Sequence, residues 1–206
     1  MVGIDLERVF RTPAQIAVLR ALWQAPTSLT GRQVQQLAGV HNRTAMQCLD
    51  DLEQLGLLQR RTAGRAYLYT LKRSHRVVRD LVETVFKAER EIPGRLREQL
   101  ARILEGTCIS ALLYGSVARS EDQTSSDIDL LAVVGSRKDV KTFSEKAQPE
   151  AERLVRDEWG SMLEVNVMTV AEAKKKWNSP LMKQIRREGE LLTGLPLEAL
   201  RRGRRS

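Results

Sequence analysis

The residues best suited to chemistry lie in the second half of this 206-residue chain. Gly115 and Ser116 follow an apolar run, and Asp127 and Asp129 come twelve and fourteen residues after Gly115. A glycine lets the backbone approach a phosphate closely, and a serine hydroxyl with the first N–H groups of a helix binds phosphate oxygens. Residues two apart on a strand point the same way, so the aspartates present paired carboxylates to one site. Such a pair suits Mg²⁺, or Mn²⁺, held jointly with substrate phosphates.

The elements that must position these residues follow from the apolar pattern after residue 106. Short apolar runs typical of buried strands alternate with helical patterns, and this alternation predicts an α/β domain. On the strand that contains the aspartates, Ile128 and Leu130 are expected to face the core. The predicted strands are 108–114, 127–134 and about 162–168, and the predicted helices lie near 138–157, 170–178 and 180–188.

Two short motifs accompany these strands. Residues 115–119 read Gly-Ser-Val-Ala-Arg, and residues 126–130 read Ser-Asp-Ile-Asp-Leu. Together they closely resemble the signature of the polymerase-beta-like nucleotidyltransferases, especially their minimal bacterial and archaeal branch. Residues 185–194 resemble the closing helix and strand of the same family, so the resemblance extends from residue 108 to about 192. It implies a C-terminal α/β nucleotidyltransferase domain with a small mixed sheet.

The resemblance also implies an activity. A nucleotidyltransferase of this kind binds an NTP with Mg²⁺ or Mn²⁺ and transfers the nucleoside monophosphate to an acceptor, which the sequence does not identify. The residues implied for nucleotide and phosphate binding are Gly115, Ser116, Arg119 and Ser126.

The family's third carboxylate, which completes the metal site and often acts as the base, falls on the predicted strand 162–168. Apolar residues alternate along this strand, so Glu164 should face the same way as Asn166 and away from the core. The predicted catalytic and metal-binding set is Asp127, Asp129 and Glu164. Two alternatives stay open: Asp157 or Glu158 as the third carboxylate, and a Glu164 that is merely exposed on an edge strand.

The first third of the chain carries three helical patterns followed by two β-like runs. Helices are predicted at 13–24, after a cap at Thr30, and at 43–55. The β-like runs flank a glycine-containing turn at 62–65 and predict a hairpin. This order, with Leu-x-x-Leu-Gly-Leu-Leu at 52–58, resembles the winged helix-turn-helix of bacterial transcription regulators, a mainly α domain with a β-hairpin wing.

The winged-helix resemblance implies double-stranded DNA as a partner, with the third helix in the major groove. The residues predicted to contact DNA are Asn42, Arg43, Thr44 and Gln47 on that helix, Arg65 at the wing tip, and Arg60 and Arg61 as backbone anchors. Three acidic residues of the same helix, Asp50, Asp51 and Glu53, would repel phosphates if they faced them. The alternative is a protein-docking module whose basic residues form a solvated face.

Composition limits the remaining function classes. The net charge of +8 favours a polyanionic partner, and ten Lys or Arg against five Asp or Glu fall within residues 1–75. Two histidines and two widely spaced cysteines are too few for a zinc cluster or a disulfide framework. Nine aromatic residues argue against a stacking platform for single strands, and Trp23, Trp159 and Trp177 are interpreted as packing residues. With no apolar run near ~20 residues and no secretory signal, a cytoplasmic protein without a membrane partner is expected.

The sequence therefore predicts two domains with a helical connector. The predicted boundaries are 1–74 for the winged helix, 75–106 for a connector divided at residues 93–94, 107–195 for the nucleotidyltransferase, and 196–206 for a solvated basic tail. Three functions are compatible with this organisation. The chain is a DNA-coupled nucleotidyltransferase, a DNA-binding transcriptional regulator with a nucleotide-sensing site, or the antitoxin of a toxin–antitoxin pair. The expected partners are an NTP, DNA, a protein acceptor or toxin, and a second copy in a homodimer.

Overall fold

Two sheets organise the part of the chain that the computed structural model describes, residues 6–115 and 127–202. The chain divides into two units, Met1–Glu91 and Ile92–Ser206, and each unit has its own sheet and its own apolar core. The division falls inside the segment 75–106 that the sequence presents as a connector.

The first unit combines helices with a small antiparallel sheet. Its elements are α1 (Leu6–Val9), α2 (Pro13–Gln24), β1 (Leu29–Thr30), α3 (Gly31–Ala38), α4 (Asn42–Gln54), β2 (Leu58–Ala63) and β3 (Ala66–Leu71). A π-helical turn (Val78–Val82) and the beginning of α5 (Glu83–Leu104) follow. The strands lie in the order β1-β3-β2, and β2 and β3 form the hairpin. The helices predicted at 13–24 and 43–55 and the hairpin are thus confirmed as elements.

Side-chain caps explain where two of these helices begin. The Thr12 hydroxyl accepts a hydrogen bond of 3.1 Å from the backbone N–H of Gln15 at the start of α2. Thr30 and Gln33 form a reciprocal capping box at the start of α3, which confirms the predicted cap. Each cap satisfies N–H groups that have no partner within the helix.

The second unit contains a mixed sheet, as the sequence predicts. Its elements after α5 are β4 (Ser110–Tyr114), β5 (Ile128–Val134), α6 (Arg137–Glu145), α7 (Ala147–Trp159), β6 (Leu163–Thr169), α8 (Val170–Lys175), α9 (Pro180–Glu188), β7 (Glu190–Gly194) and α10 (Leu197–Arg202). The strand order is β6-β5-β4-β7, with β5 and β6 parallel and the other pairs antiparallel. The strands predicted at 108–114, 127–134 and 162–168 are all present.

Strand β5 is buried on both faces of this sheet. One cluster joins Ile128, Leu130, Ala132 and Val134 to apolar residues of α5, α6 and α7. A second cluster joins Leu131 and Val133 to residues of α8, α9 and α10. We call these the α5–α7 face and the α8–α10 face. Ile128 and Leu130 therefore face a core, as expected, and burial on both faces explains why the strand reads as a continuous apolar run.

The helix predicted near 138–157 is in fact two helices. Helix α6 ends at Glu145, Lys146 adopts φ −118°, and α7 begins at Ala147. Phe143 near the end of α6 and Val155 on α7 pack into the same cluster on either side of this break. Local periodicity carried through the break because both helices use the same face of the sheet.

The predicted division at residues 93–94 is wrong, because α5 runs from Glu83 to Leu104 with Pro93 inside it. Proline has no N–H group, so one carbonyl of the preceding turn lacks its usual helical partner. Pro93 and Gly94 are exposed, and this stretch of the helix faces solvent. The apolar residues before and after this point belong to different cores, with Phe86 in the first unit and Leu100 in the second.

The predicted solvated tail is also partly wrong. Residues Leu197–Arg202 form α10, and Leu197 and Leu200 are buried in the cluster on the α8–α10 face. Burial of these two leucines provides the apolar contact that a basic composition alone did not suggest. Among the described residues, no helix has the length and apolar character needed to span a membrane.

Gly194 provides a test of how tightly β7 is fixed beside β4. Its φ of +84° lies in the left-handed region, and a Cβ there would overlap the carbonyl oxygen of Ile109. Gly160 has a similar φ of +62° but open space around it. We expect Gly160→Ala to lower the free energy of unfolding by about 1–2 kcal/mol for the backbone conformation alone. Gly194→Ala should cost about 1–3 kcal/mol more, because overpacking adds to the same penalty.

Urea unfolding monitored by tryptophan fluorescence measures both values, since the second unit contains Trp159 and Trp177. Equal losses for the two variants would show that β7 moves away freely.

Candidate active site

Three adjacent strands bring Tyr114, Asp129 and Glu164 side by side. Asp129 on β5 is the register partner of Tyr114 on antiparallel β4 and of Glu164 on parallel β6. Directly opposed residues on neighbouring strands point to the same face of a sheet. Here it is the α8–α10 face, where Tyr114, Leu131 and Met168 are buried. Asp129 is half-buried and Glu164 is exposed, so the group lies where this face opens to solvent.

Gly115 directly follows Tyr114 and lies against Asp129. Its φ is +76°, and a Cβ built on it would overlap the Oδ2 atom of Asp129. Both facts require glycine, because other residues rarely adopt this φ and none lacks the Cβ. The sequence predicted close approach of this backbone to a phosphate, and the structure places it against one of the predicted carboxylates.

Tyr114 joins the group through its hydroxyl, a feature that the sequence reasoning missed. The Asn166 side-chain amide donates a hydrogen bond of 2.8 Å to the Tyr114 Oη atom. Burial raises the pKa of Tyr114 above its ordinary value; the Asn166 amide opposes this shift, and the charges of Asp129 and Glu164 add to it. The phenol therefore stays protonated near neutral pH and keeps one hydrogen to donate. Its position directly before Gly115, at the end of the strand, is the sequence feature that could have indicated this role.

The other predicted residues have the following positions. Asp127 is exposed and immediately precedes β5. Asp157 and Glu158 lie on α7, which packs on the α5–α7 face, so the sheet separates them from the face that carries Asp129. Ser116, Arg119 and Ser126 lie outside the described residues.

The predicted carboxylates are the right ligands for a hard cation, but the described side chains are not gathered into a metal-binding cluster. Asp127, Asp129 and Glu164 would supply carboxylate oxygens, the ligands that Mg²⁺ and Mn²⁺ prefer. Within residues 6–115 and 127–202, however, no three His, Cys, Asp or Glu side chains are gathered closely enough to hold a metal ion. Asp129 and Glu164 are register partners on β5 and β6, and Asp127 immediately precedes β5.

The first unit contains the residues predicted to contact DNA. Helix α4 is two-sided: its buried side is formed by Ala45, Cys48, Leu49 and Leu52. Asn42, Arg43, Thr44 and Gln47 are exposed on the same helix. Arg61 and Arg65, on the hairpin, are also exposed.

Arginines neutralise the acidic residues of α4. Arg60 lies 3.6 Å from a carboxylate oxygen of Asp50 and 3.2 Å from one of Glu53, and its guanidinium stacks 4.9 Å from the centre of the Tyr67 ring. Arg11 lies 3.5 Å from Asp51. The predicted repulsion between α4 and phosphates is therefore reduced inside the protein. Among the described residues predicted to contact DNA, Arg60 is the one that pairs with carboxylates.

A protein-family model matches part of the chain. Residues 98–195 match the model of the family described as polymerase beta, nucleotidyltransferase, which supports the nucleotidyltransferase superfamily for this segment. No curated protein matches the chain. A solved structure of human N-acetylserotonin methyltransferase in complex with SAM is 21% identical over 36% of this chain and 21% of that chain, with a TM-score of 0.31. A score this low supports no statement about fold or function.

The geometry around Tyr114 predicts two opposite pKa changes. Glu164→Gln removes a negative charge that disfavours the phenolate, so the pKa of Tyr114 should fall. Asn166→Ala removes a donor that stabilises the phenolate, so this pKa should rise. NMR titration of ring-labelled tyrosine measures both changes, and Tyr114→Phe identifies the signal among the three tyrosines.

The matched control is Glu158→Gln, which makes the same substitution on α7 and should leave the pKa of Tyr114 unchanged. An unchanged titration in Glu164→Gln would mean that this carboxylate does not face Tyr114.

Proposed function

We propose that the second unit is a metal-dependent nucleotidyltransferase that binds an NTP and transfers its NMP to an acceptor. The observation that carries this proposal is the register of Tyr114, Asp129 and Glu164 beside Gly115. It lies in a segment that matches the nucleotidyltransferase family. Carboxylates on adjacent strands next to a glycine backbone suit a metal ion that is shared with a triphosphate.

Each residue has a proposed part. Asp127 and Asp129 would hold Mg²⁺ or Mn²⁺, with Glu164 as the third ligand or base, and the bound metal would supply Lewis-acid stabilisation of the phosphates. Ser116, Arg119 and Ser126 are proposed phosphate contacts on the strength of the sequence motif. Gly115 keeps the backbone close to the Asp129 carboxylate and leaves room for it.

The proposed reaction is a displacement at the α-phosphorus. A hydroxyl oxygen of the acceptor forms a bond to this phosphorus, the bond to the bridging oxygen breaks, and pyrophosphate leaves. Glu164 is exposed on β6, which is an edge strand, so an acceptor can reach it from solvent and give up its hydroxyl proton there. The Tyr114 phenol, which accepts a hydrogen bond from Asn166, keeps its own proton beside the two carboxylates.

Asp129→Asn tests this assignment. The variant keeps the shape of the side chain and removes its charge, so transfer of label from an α-labelled NTP in the presence of Mg²⁺ should fall by about a hundredfold or more. Host lysate supplies the acceptor, and labelled products are separated by gel electrophoresis. Glu158→Gln is the matched control and should transfer label at the unmodified rate.

Undiminished transfer in Asp129→Asn would remove this carboxylate from the mechanism. If the unmodified protein neither binds an NTP nor transfers label, the enzymatic proposal is wrong.

We propose in addition that the first unit is a winged helix that binds double-stranded DNA. The observation that favours this function is the exposed face of α4, which carries Asn42, Arg43, Thr44 and Gln47. The acidic residues of the same helix are paired with Arg60 and Arg11. Arg65 lies in the hairpin turn, where a wing would meet a phosphate. Arg61 on β2 is a proposed backbone anchor, and Arg60 acts chiefly by neutralising α4.

DNA binding by this unit predicts a defined response to salt. Arg43→Ala and Arg65→Ala should each weaken binding about tenfold and reduce the slope of log affinity against log salt by about one. Fluorescence anisotropy with the fragment upstream of the protein's own coding sequence, at several salt concentrations, measures both quantities.

Arg76→Ala is the control, because Arg76 lies outside α4 and the hairpin and pairs with Asp80. Binding that is absent or insensitive to salt would contradict the DNA proposal and favour a protein-docking module. The transcriptional-regulator and antitoxin hypotheses, a homodimer and a cytoplasmic location stay predictions of the sequence.

A further inference from the structure

The second unit contains a basic cavity whose lining residues do not include those of the candidate active site. A cavity of about 360 Å³ lies between the turn after α8, α9 and α10. Its lining residues are Trp177, Arg186, Glu198, Arg201 and Arg202. Three positive charges and one negative charge thus line it, which leaves a net charge of about +2.

Trp177 lines this cavity and packs into the apolar core. Its side chain is only 7% exposed, and it packs with Met182, Ile185 and Leu200 in the cluster on the α8–α10 face. The packing role predicted for this tryptophan is therefore confirmed. Its indole Nε1 atom is buried and has no hydrogen-bond partner among the described residues. An indole N–H can only donate, so it requires an acceptor.

Arginine guanidinium groups cover the Trp177 ring. Arg186 lies 4.6 Å and Arg201 lies 5.4 Å from the centre of the ring. The Nε atom of Arg186 is also buried without a partner in the described part of the chain. Two residues that line one cavity therefore each have a buried N–H group without an acceptor among the described residues, an arrangement that proteins normally avoid.

The charges of these arginines are likewise not balanced by nearby carboxylates. Within the described ranges, no carboxylate lies at ion-pair distance from Arg186, Arg201 or Arg202. The adjacent arginine behaves differently, because Arg187 pairs with Glu188. Local sequence supplies acidic partners in this region, yet the three arginines of the cavity do not use them.

We propose that this cavity binds a phosphate group. Guanidinium groups match phosphate oxygens in geometry, and a phosphate dianion balances a net charge of +2, whereas a carboxylate would neutralise only half of it. The indole N–H of Trp177 and the Nε–H of Arg186 supply the two additional donors. Because guanidinium groups cover the Trp177 ring, the site recognises the phosphate and not the face of a base.

The site accepts a phosphate from either of two sources, a small phosphorylated molecule or the backbone of a nucleic acid. The cavity is larger than a phosphate alone, so it has room for part of the molecule to which the phosphate is attached. This inference does not depend on nucleotidyl transfer, because none of the five lining residues belongs to the candidate active site.

The test uses the isotope-labelled full chain and inorganic pyrophosphate, with a chelator present so that no divalent cation supports binding elsewhere. The three tryptophans give three indole N–H signals, and Trp177→Phe identifies the one that belongs to Trp177. We expect pyrophosphate to shift this signal and to leave the signals of Trp23 and Trp159 in place. A parallel titration with a short single-stranded oligonucleotide distinguishes the two sources of phosphate.

Arginine variants separate this site from general attraction to a basic protein. Arg186→Gln and Arg201→Gln should each weaken binding about tenfold. Arg187→Gln is the matched control, because it removes the same charge from an adjacent, paired residue and should leave binding within about twofold. Asp129→Asn should also bind normally, so a failure of the catalytic proposal would not affect this result.

The outcomes are decisive for the proposal. A Trp177 shift with pyrophosphate assigns the site to small phosphorylated molecules, and a shift with the oligonucleotide alone assigns it to a nucleic-acid backbone. If neither probe shifts the signal, or if Arg201→Gln binds as tightly as Arg187→Gln, the proposal is overturned. Arg201 is exposed, so this variant tests the site even if Arg186→Gln does not fold.

Discussion

The register of β5 between β4 and β6 is the constraint on which the candidate active site depends. It places Asp129 opposite both Tyr114 and Glu164, although these residues are far apart in sequence. A slip of one residue would turn every side chain of β5 to the other face, so the aspartate would enter the packed α5–α7 side. Because β5 is buried on both faces, it tolerates a carboxylate only near its first residues, where Gly115 provides space.

The two faces of the second sheet differ in the residues that they carry. The α5–α7 face is occupied by apolar packing, and it includes α7, the helix that carries Asp157 and Glu158. The α8–α10 face carries Asp129 and Glu164 at its open end, and the helices that cover it also form the arginine cavity around Trp177. One face stabilises the sheet, and the opposite face combines stability with groups that can meet charged ligands.

The excess positive charge is used differently in the two units. In the first unit, Arg60 and Arg11 balance acidic residues of α4 and leave its polar side chains and Arg43 exposed. In the second unit, Arg186 and Arg201 lie over an indole ring and have no described carboxylate partner. Net charge describes neither arrangement, because attraction to an anion depends on which cations are already paired.

Local sequence patterns account for several features of this fold. Capping residues and apolar periodicity fixed the helix at Pro13–Gln24, and the parity of single strands turned Asp129 and Glu164 away from the α5–α7 core. Tertiary structure decided which strands became neighbours, and therefore that Tyr114 joins the two carboxylates. It also decided the break at Lys146 and the burial of Leu197 and Leu200 in a segment whose composition predicted a solvated tail. A residue's own neighbours in sequence fix its periodicity, whereas its burial and its partners across a sheet are fixed by segments that only folding brings together.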